Sequence, residues 1–90
     1  MNEPSAMRDL SASLAVLAVA QVATEEFLAA QLGLRTLEQM KASCRKSVYW
    51  PDFCRAAKAG HVSADWLPGA LGRVVLAWAK ADGEAVAVTS

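Results

Sequence analysis

The sequence predicts an all-α fold, organised as a single compact domain of four or five short helices. Ala occurs 19 times and Leu 10 times in 90 residues, and both residues favour helices. Apolar residues make up 54% of the chain, which is too much for a disordered segment and enough for one core. We expect residues 1–90 to form one helical domain, with 1–6 and 84–90 as flexible ends.

The first predicted helix runs from about Met7 to Val22. Leu10, Leu14 and Leu17 recur at spacings of four and three, so they share one face. Valine and alanine fill much of the remaining surface, and a helix that is apolar nearly all round is buried on more than one side. We therefore expect this helix at the centre of the fold or in a dimer interface.

Capping signals divide the next stretch into two further helices. Thr24 is a candidate N-cap for a second helix, and Gly33 is a candidate stop. Thr36 is a candidate cap for a third helix. The apolar face of that third helix follows spacings of three, four and four: Leu37, Met40, Cys44 and Val48.

A proline marks the start of a short fourth helix. We expect Pro51 to hold Trp50 in an extended conformation, because the ring restricts the residue before it. Pro51 can then serve as the first helical residue, with the helix ending near Lys58 and Gly60 as its stop.

The fifth predicted helix has Pro68 in its first turn and ends at Gly83. Gly72 inside this helix costs about 1 kcal/mol relative to alanine, which a close helix crossing at that position would offset. The apolar stripe consists of Leu67, Leu71, Val74, Val75 and Trp78.

The formal net charge of zero conceals a basic middle segment. Residues 1–34 carry a net charge of −3, residues 35–58 carry +4, and residues 59–90 carry −1. Two interpretations are open: a solvated face of an amphipathic helix, or a patch for an acidic partner. Two aromatic residues precede Pro51, and we expect at least one to be exposed. The candidate partner-binding residues are Arg35, Glu38, Lys41, Arg45, Lys46, Tyr49 and Trp50.

Residues 24–34 resemble the first helix and turn of a helix-turn-helix motif. Ala29, Gly33 and Leu34 stand at the offsets where that motif has a small residue, the turn glycine and an apolar residue. The next predicted helix begins about two residues earlier than in the usual motif. The resemblance implies DNA binding within 24–46, through Arg35, Glu38, Gln39, Lys41 and Arg45.

The sequence contains few groups able to carry catalysis or hold a metal. His61 is the single histidine, and the two cysteines cannot form a disulfide scaffold. A structural zinc site needs four ligands, so we interpret Cys44 and Cys54 as buried thiols. We expect no enzyme activity, no metal and no cofactor.

Membrane and secretory targeting are also disfavoured. No apolar run approaches the roughly 18 residues of a transmembrane helix, so we expect no membrane. Residues 18–20 resemble a signal-peptide cleavage site, but Glu3 and Asp9 in the preceding segment favour a buried helix. A cytoplasmic location with free thiols follows.

These patterns lead to one expected function and one alternative. We expect a small non-catalytic regulatory or adaptor protein that binds another protein, of the inhibitor or assembly-chaperone type, and that forms a homodimer. The alternative is a small helix-turn-helix transcriptional regulator that binds DNA through residues 24–46.

Overall fold

Four α-helices follow one another in a computed structural model that describes the backbone of residues 3–89 and the side chains of residues 12–84. Residues 3–89 contain no strand, and the predicted all-α single compact domain is confirmed. The helices are α1 (Glu3–Gln31), α2 (Leu37–Lys46), α3 (Trp50–Lys58) and α4 (Ala70–Thr89).

The long helix α1 replaces the first two predicted helices. It is continuous over 29 residues, so the predicted break before Thr24 is wrong. The reason is local composition: residues 5–32 contain neither glycine nor proline, and a threonine caps a helix only where something else ends the one before it.

Glycines end α1 and α3, as predicted. Gly33 has a φ of 77°, and Gly60 has a φ of 81°. After α1, the Leu34 N–H donates to the Ala29 carbonyl at 2.9 Å, and the Gly33 N–H donates to the Ala30 carbonyl at 3.0 Å. This is the Schellman arrangement, which needs a residue in the left-handed region.

The core-facing side of α1 differs from the expected one. Ala15, Val19 and Ala23 are fully buried, whereas Leu14 and Leu17 are exposed. The helix is therefore buried on one side, not on several. Small side chains permit a close approach of α2 and α3, which leucines on that side would prevent.

The start of α2 follows its prediction closely. Thr36 accepts a hydrogen bond from the Gln39 N–H at 3.1 Å, and the Gln39 side chain accepts one from the Thr36 N–H at 2.9 Å. This is a capping box. Met40 and Cys44 are buried as predicted, but Leu37 is exposed, and α2 ends at Lys46, so Val48 lies outside the helix and is exposed as well.

α3 contributes the aromatic centre of the core. Pro51 lies in its first turn, as predicted, but the helix already begins at Trp50, which is therefore helical and not extended. The Phe53 ring is fully buried, with its centroid 5.6 Å from that of Trp50 and 4.9 Å from that of Trp66. These tilted contacts join α3 to the loop before α4.

α4 begins at Ala70, two residues after Pro68, and continues through Gly83 to Thr89. The predicted stop at Gly83 is wrong. A Cβ atom at this position would lie 3.1 Å from the Cys54 carbonyl oxygen of α3, so this glycine permits close helix packing. Flexibility of 1–6 and 84–90 stays a prediction.

Gly72 faces a loop, not the helix crossing that the sequence suggested. A Cβ atom there would lie 2.9 Å from the carbonyl oxygens of both Ala64 and Leu67. The Gly72 carbonyl also accepts a hydrogen bond from the Trp66 Nε1–H at 2.9 Å. The loop before α4 therefore folds directly onto the first turn of the helix.

We predict that Gly72→Ala lowers the free energy of unfolding by about 1–3 kcal/mol, because the new methyl group collides with two fixed carbonyl oxygens. Helix propensity alone predicts the opposite sign, a gain of about 1 kcal/mol. Urea denaturation followed by tryptophan fluorescence distinguishes these two predictions. A stabilised Gly72→Ala variant would contradict the close packing of the loop on Gly72.

Candidate interaction surface

Asp82 on α4 joins three helices through one carboxylate. Arg45 of α2 donates to it from Nε at 2.9 Å and from Nη2 at 2.8 Å. Trp50 of α3 donates its Nε1–H to the same carboxylate at 2.9 Å. A bidentate guanidinium contact is among the stronger polar pairings in proteins, so this cluster fixes α2 and α3 against α4.

The protonation equilibrium of Asp82 reflects these contacts. The hydrogen bonds from Arg45 hold the pKa of the Asp82 carboxyl below its usual value, against the raising effect of partial burial. The hydrogen bond from Trp50 lowers this pKa further. The carboxylate is therefore fully ionised at neutral pH and acts as a structural acceptor.

Two more of the predicted partner-binding cations make contacts within the chain. Arg35 Nε lies 3.3 Å from the Glu26 carboxylate of α1. Lys41 Nζ lies 5.8 Å from the centroid of the Trp78 ring, within the usual range of a cation–π contact. The basic segment is therefore partly neutralised by the fold itself.

The remaining candidate residues divide by exposure. Glu38, Lys46 and Tyr49 are exposed. Trp50 is only 5% exposed and its Nε1–H is engaged by Asp82. Its predicted role in partner binding is therefore corrected: Trp50 anchors α3, and of the two aromatic residues before Pro51 only Tyr49 is accessible.

Three exposed residues form a corner between α2 and α3. Lys46 ends α2, Tyr49 precedes α3, and Val48 between them is 84% exposed. We call Lys46, Val48 and Tyr49 the α2–α3 corner. It combines a cation, an aliphatic group and an aromatic ring on one short connection.

Exposed leucines lie on the outward side of α1, in two pairs separated by the exposed polar residues Gln21 and Thr24. Four leucines have between 48% and 76% of their surface exposed: Leu14 at 48%, Leu17 at 68%, Leu28 at 56% and Leu32 at 76%. We call these four residues the α1 leucine face. The sequence pattern placed Leu14 and Leu17 on one face but left open whether that face lies in the core or in a dimer interface, because a pattern does not tell which side of an apolar helix is covered.

An open groove of about 610 Å³ runs beside this face. Its walls come from the N-terminal half of α1 and from α3 with the following turn. The lining residues are Ala12, Ser13, Val16, Leu17, Ala56 and His61. Leu17 belongs to both features, so the groove continues the apolar surface of α1.

The described residues do not assemble a reactive centre. Burial raises the pKa of the Cys44 and Cys54 thiols to about 11, which leaves both in the unreactive thiol form at neutral pH. Residues 12–84 contain no group of three or more His, Cys, Asp and Glu placed to hold a metal ion. The absence of enzyme activity stays a prediction.

One segment of α1 meets the length and hydropathy of a membrane span. Ala12–Gln31 has a mean hydropathy of 1.4, contrary to the expectation that no stretch approaches that limit. Core helices of soluble proteins and signal sequences meet the same test. The cytoplasmic location stays a prediction.

Comparisons with protein-family models, curated proteins and solved structures found no match to this chain.

We predict that Asp82→Asn lowers the free energy of unfolding at pH 7 by about 1 kcal/mol, since it removes a partly exposed bidentate ion pair. A depressed folded-state pKa stabilises the protein above the ordinary carboxyl pKa of 3.8, and the stabilisation is lost as the pH falls through the folded-state value. The difference between variant and wild type should therefore shrink below pH 4 in urea denaturation.

Asp52→Asn is the matched control, because Asp52 pairs with Arg55 inside the single helix α3. Asp52→Asn should lower the free energy of unfolding by less than Asp82→Asn does, because it breaks no contact between helices. Equal losses in the two variants would contradict the special role of Asp82.

Proposed function

We propose that the chain is a small non-catalytic protein-binding module of the regulatory or adaptor kind. The observation that carries this proposal is the α1 leucine face. Its side chains belong neither to the buried core nor to the partly buried residues that pack against that core. Several large apolar side chains exposed on one helix face favour an interaction site.

The α2–α3 corner supports a second contact surface for a different protein. Lys46 offers a positive charge, and Tyr49 offers a ring of the type enriched at interface hot spots. The basic middle segment favours an acidic partner surface. In this proposal, α1 serves assembly, and the α2–α3 corner recognises the protein that is regulated.

No structural observation favours the DNA-binding alternative over this one. Arg35, Lys41 and Arg45, the cations that would contact phosphates or bases, interact with Glu26, Trp78 and Asp82. DNA binding through residues 24–46 stays a prediction of the sequence resemblance.

We predict that a photo-crosslinking amino acid at Tyr49 forms a discrete adduct with another protein in cells that naturally express this chain. The adduct should weaken on Lys46→Glu, because the charge reversal repels an acidic partner. The same crosslinker at Arg73 is the matched control, since Arg73 is also exposed but lies on α4.

Equal labelling at Tyr49 and Arg73, or an adduct unaffected by Lys46→Glu, would overturn the assignment of the α2–α3 corner. Crosslinks to nucleic acid that fall steeply with salt would support the DNA-binding alternative instead.

A further inference from the structure

Six positions on the outward side of α1 follow the spacing of a coiled-coil seam, and leucine occupies three of them. Alternating steps of three and four residues average 3.5 residues, which is the heptad period, and not the 3.6 of an isolated helix. The positions on this stripe are Leu14, Leu17, Gln21, Thr24, Leu28 and Gln31. We call these six residues the α1 seam.

The α1 seam lies directly opposite the side of α1 that faces the core. At 100° per residue, its midline is about 180° around the helix from Ala15, Val19 and Ala23, which are fully buried. A second helix can therefore pack on the seam without displacing α2, α3 or α4.

We propose that the α1 seam pairs with the same seam of a second copy of this chain, with the two α1 helices antiparallel. This inference rests on the proposed function, since it names the occupant of the surface that the proposal assigns to assembly. The two-fold axis passes between Val22 and Ala23. It brings Leu17 opposite Leu28 of the second copy.

The polar centre of the seam favours a second copy over other occupants. In the antiparallel pairing, Gln21 of each chain meets Thr24 of the other, and an amide and a hydroxyl can each donate and accept. The symmetry forms this contact twice. A wholly apolar partner groove would leave the same two side chains buried without hydrogen bonds, which is costly.

The charge of α1 also favours a second copy over a lipid surface as the occupant of the seam. Residues 12–31 carry Glu25 and Glu26 and neither lysine nor arginine. Helices that lie on membranes usually carry lysine or arginine beside their apolar face, to attract anionic lipids. Ala18 and Ala20 border the seam instead, and small side chains allow another helix to come close.

The dimensions of the seam predict a reversible dimer. Residues 14–31 extend about 27 Å along the helix, and a helix with its side chains is about 10–12 Å wide. The projected contact is therefore about 300 Å² for each chain, below the roughly 800 Å² per partner of a standard interface, so only a weak and reversible association fits it. We expect an equilibrium between monomer and dimer that depends on protein concentration.

Sedimentation analysis of the purified chain over a concentration series tests the self-association. We expect a dimer whose dissociation constant rises about tenfold or more on Leu17→Glu, because two charges enter the apolar contact. Leu28→Glu should act in the same way, since it alters the opposing residue. Val48→Glu adds the same charge at an exposed position outside α1, between α2 and α3, and it should leave the dimer unchanged.

Circular dichroism of each variant reports whether the fold is retained. A wild-type chain that stays monomeric at all concentrations, or a dimer equally weakened by Val48→Glu, overturns the proposal. Wild-type binding to anionic vesicles that is lost on Leu17→Glu would also overturn it, in favour of a lipid occupant.

Disulfide trapping determines the orientation. In the antiparallel dimer, two Leu14→Cys thiols are about 25 Å apart along the helices, far beyond the reach of a disulfide. We expect crosslinks when Leu14→Cys is mixed with Gln31→Cys, and none from Leu14→Cys alone. The unmodified chain is the control, because Cys44 and Cys54 are buried. Self-crosslinking of Leu14→Cys would show a parallel pairing.

These measurements fail independently of the proposed function. They use the purified chain and the α1 seam, whereas crosslinking from Tyr49 reports on a different protein at the α2–α3 corner. If the chain stays monomeric but still forms the Tyr49 adduct, the dimer proposal is wrong and the adaptor proposal is unaffected. If the chain forms a dimer but no Tyr49 adduct, the adaptor proposal is wrong and the dimer proposal is unaffected.

Discussion

The packing of α1 through its smallest side chains is the constraint on which the exposed surface depends. Ala15, Val19 and Ala23 lie against the core, and side chains of this size let helix backbones approach closely. The other buried side chains come from α2, α3, α4 and the loop between α3 and α4, with Met40 and Phe53 among the largest. With that side of α1 committed to the core, its leucines necessarily point outward.

A second constraint is the contact that Asp82 of α4 makes with Arg45 and Trp50. A small core leaves a narrow margin of stability, so a polar contact between three helices contributes noticeably. The Asp82 carboxylate also neutralises the charge of Arg45, one of the basic residues in the segment 35–58. Electrostatic attraction to a partner therefore depends on exposed groups such as Lys46, which lies at the end of α2.

Local signals were reliable where the backbone itself enforces the conformation. Thr36 forms the predicted cap, and Gly33 adopts the positive φ that ends α1. Predictions from the same residue types were wrong where tertiary packing determined the local structure. Thr24 lies inside a continuous helix, and Gly83 lies inside α4, where a Cβ atom would be 3.1 Å from the Cys54 carbonyl oxygen. A single sequence contains no signal that separates a capping glycine from a packing glycine.

The sequence by itself determined the helical class, the positions of most helix ends and the clustering of basic residues at 35–58. These properties follow from propensity, capping and spacing, which act over a few residues. Only the tertiary structure decided that Trp50 is buried and Tyr49 exposed, and that the leucines of α1 face outward. Burial depends on contacts between residues far apart in the chain, and a helix that is apolar on all sides does not specify which of them is covered.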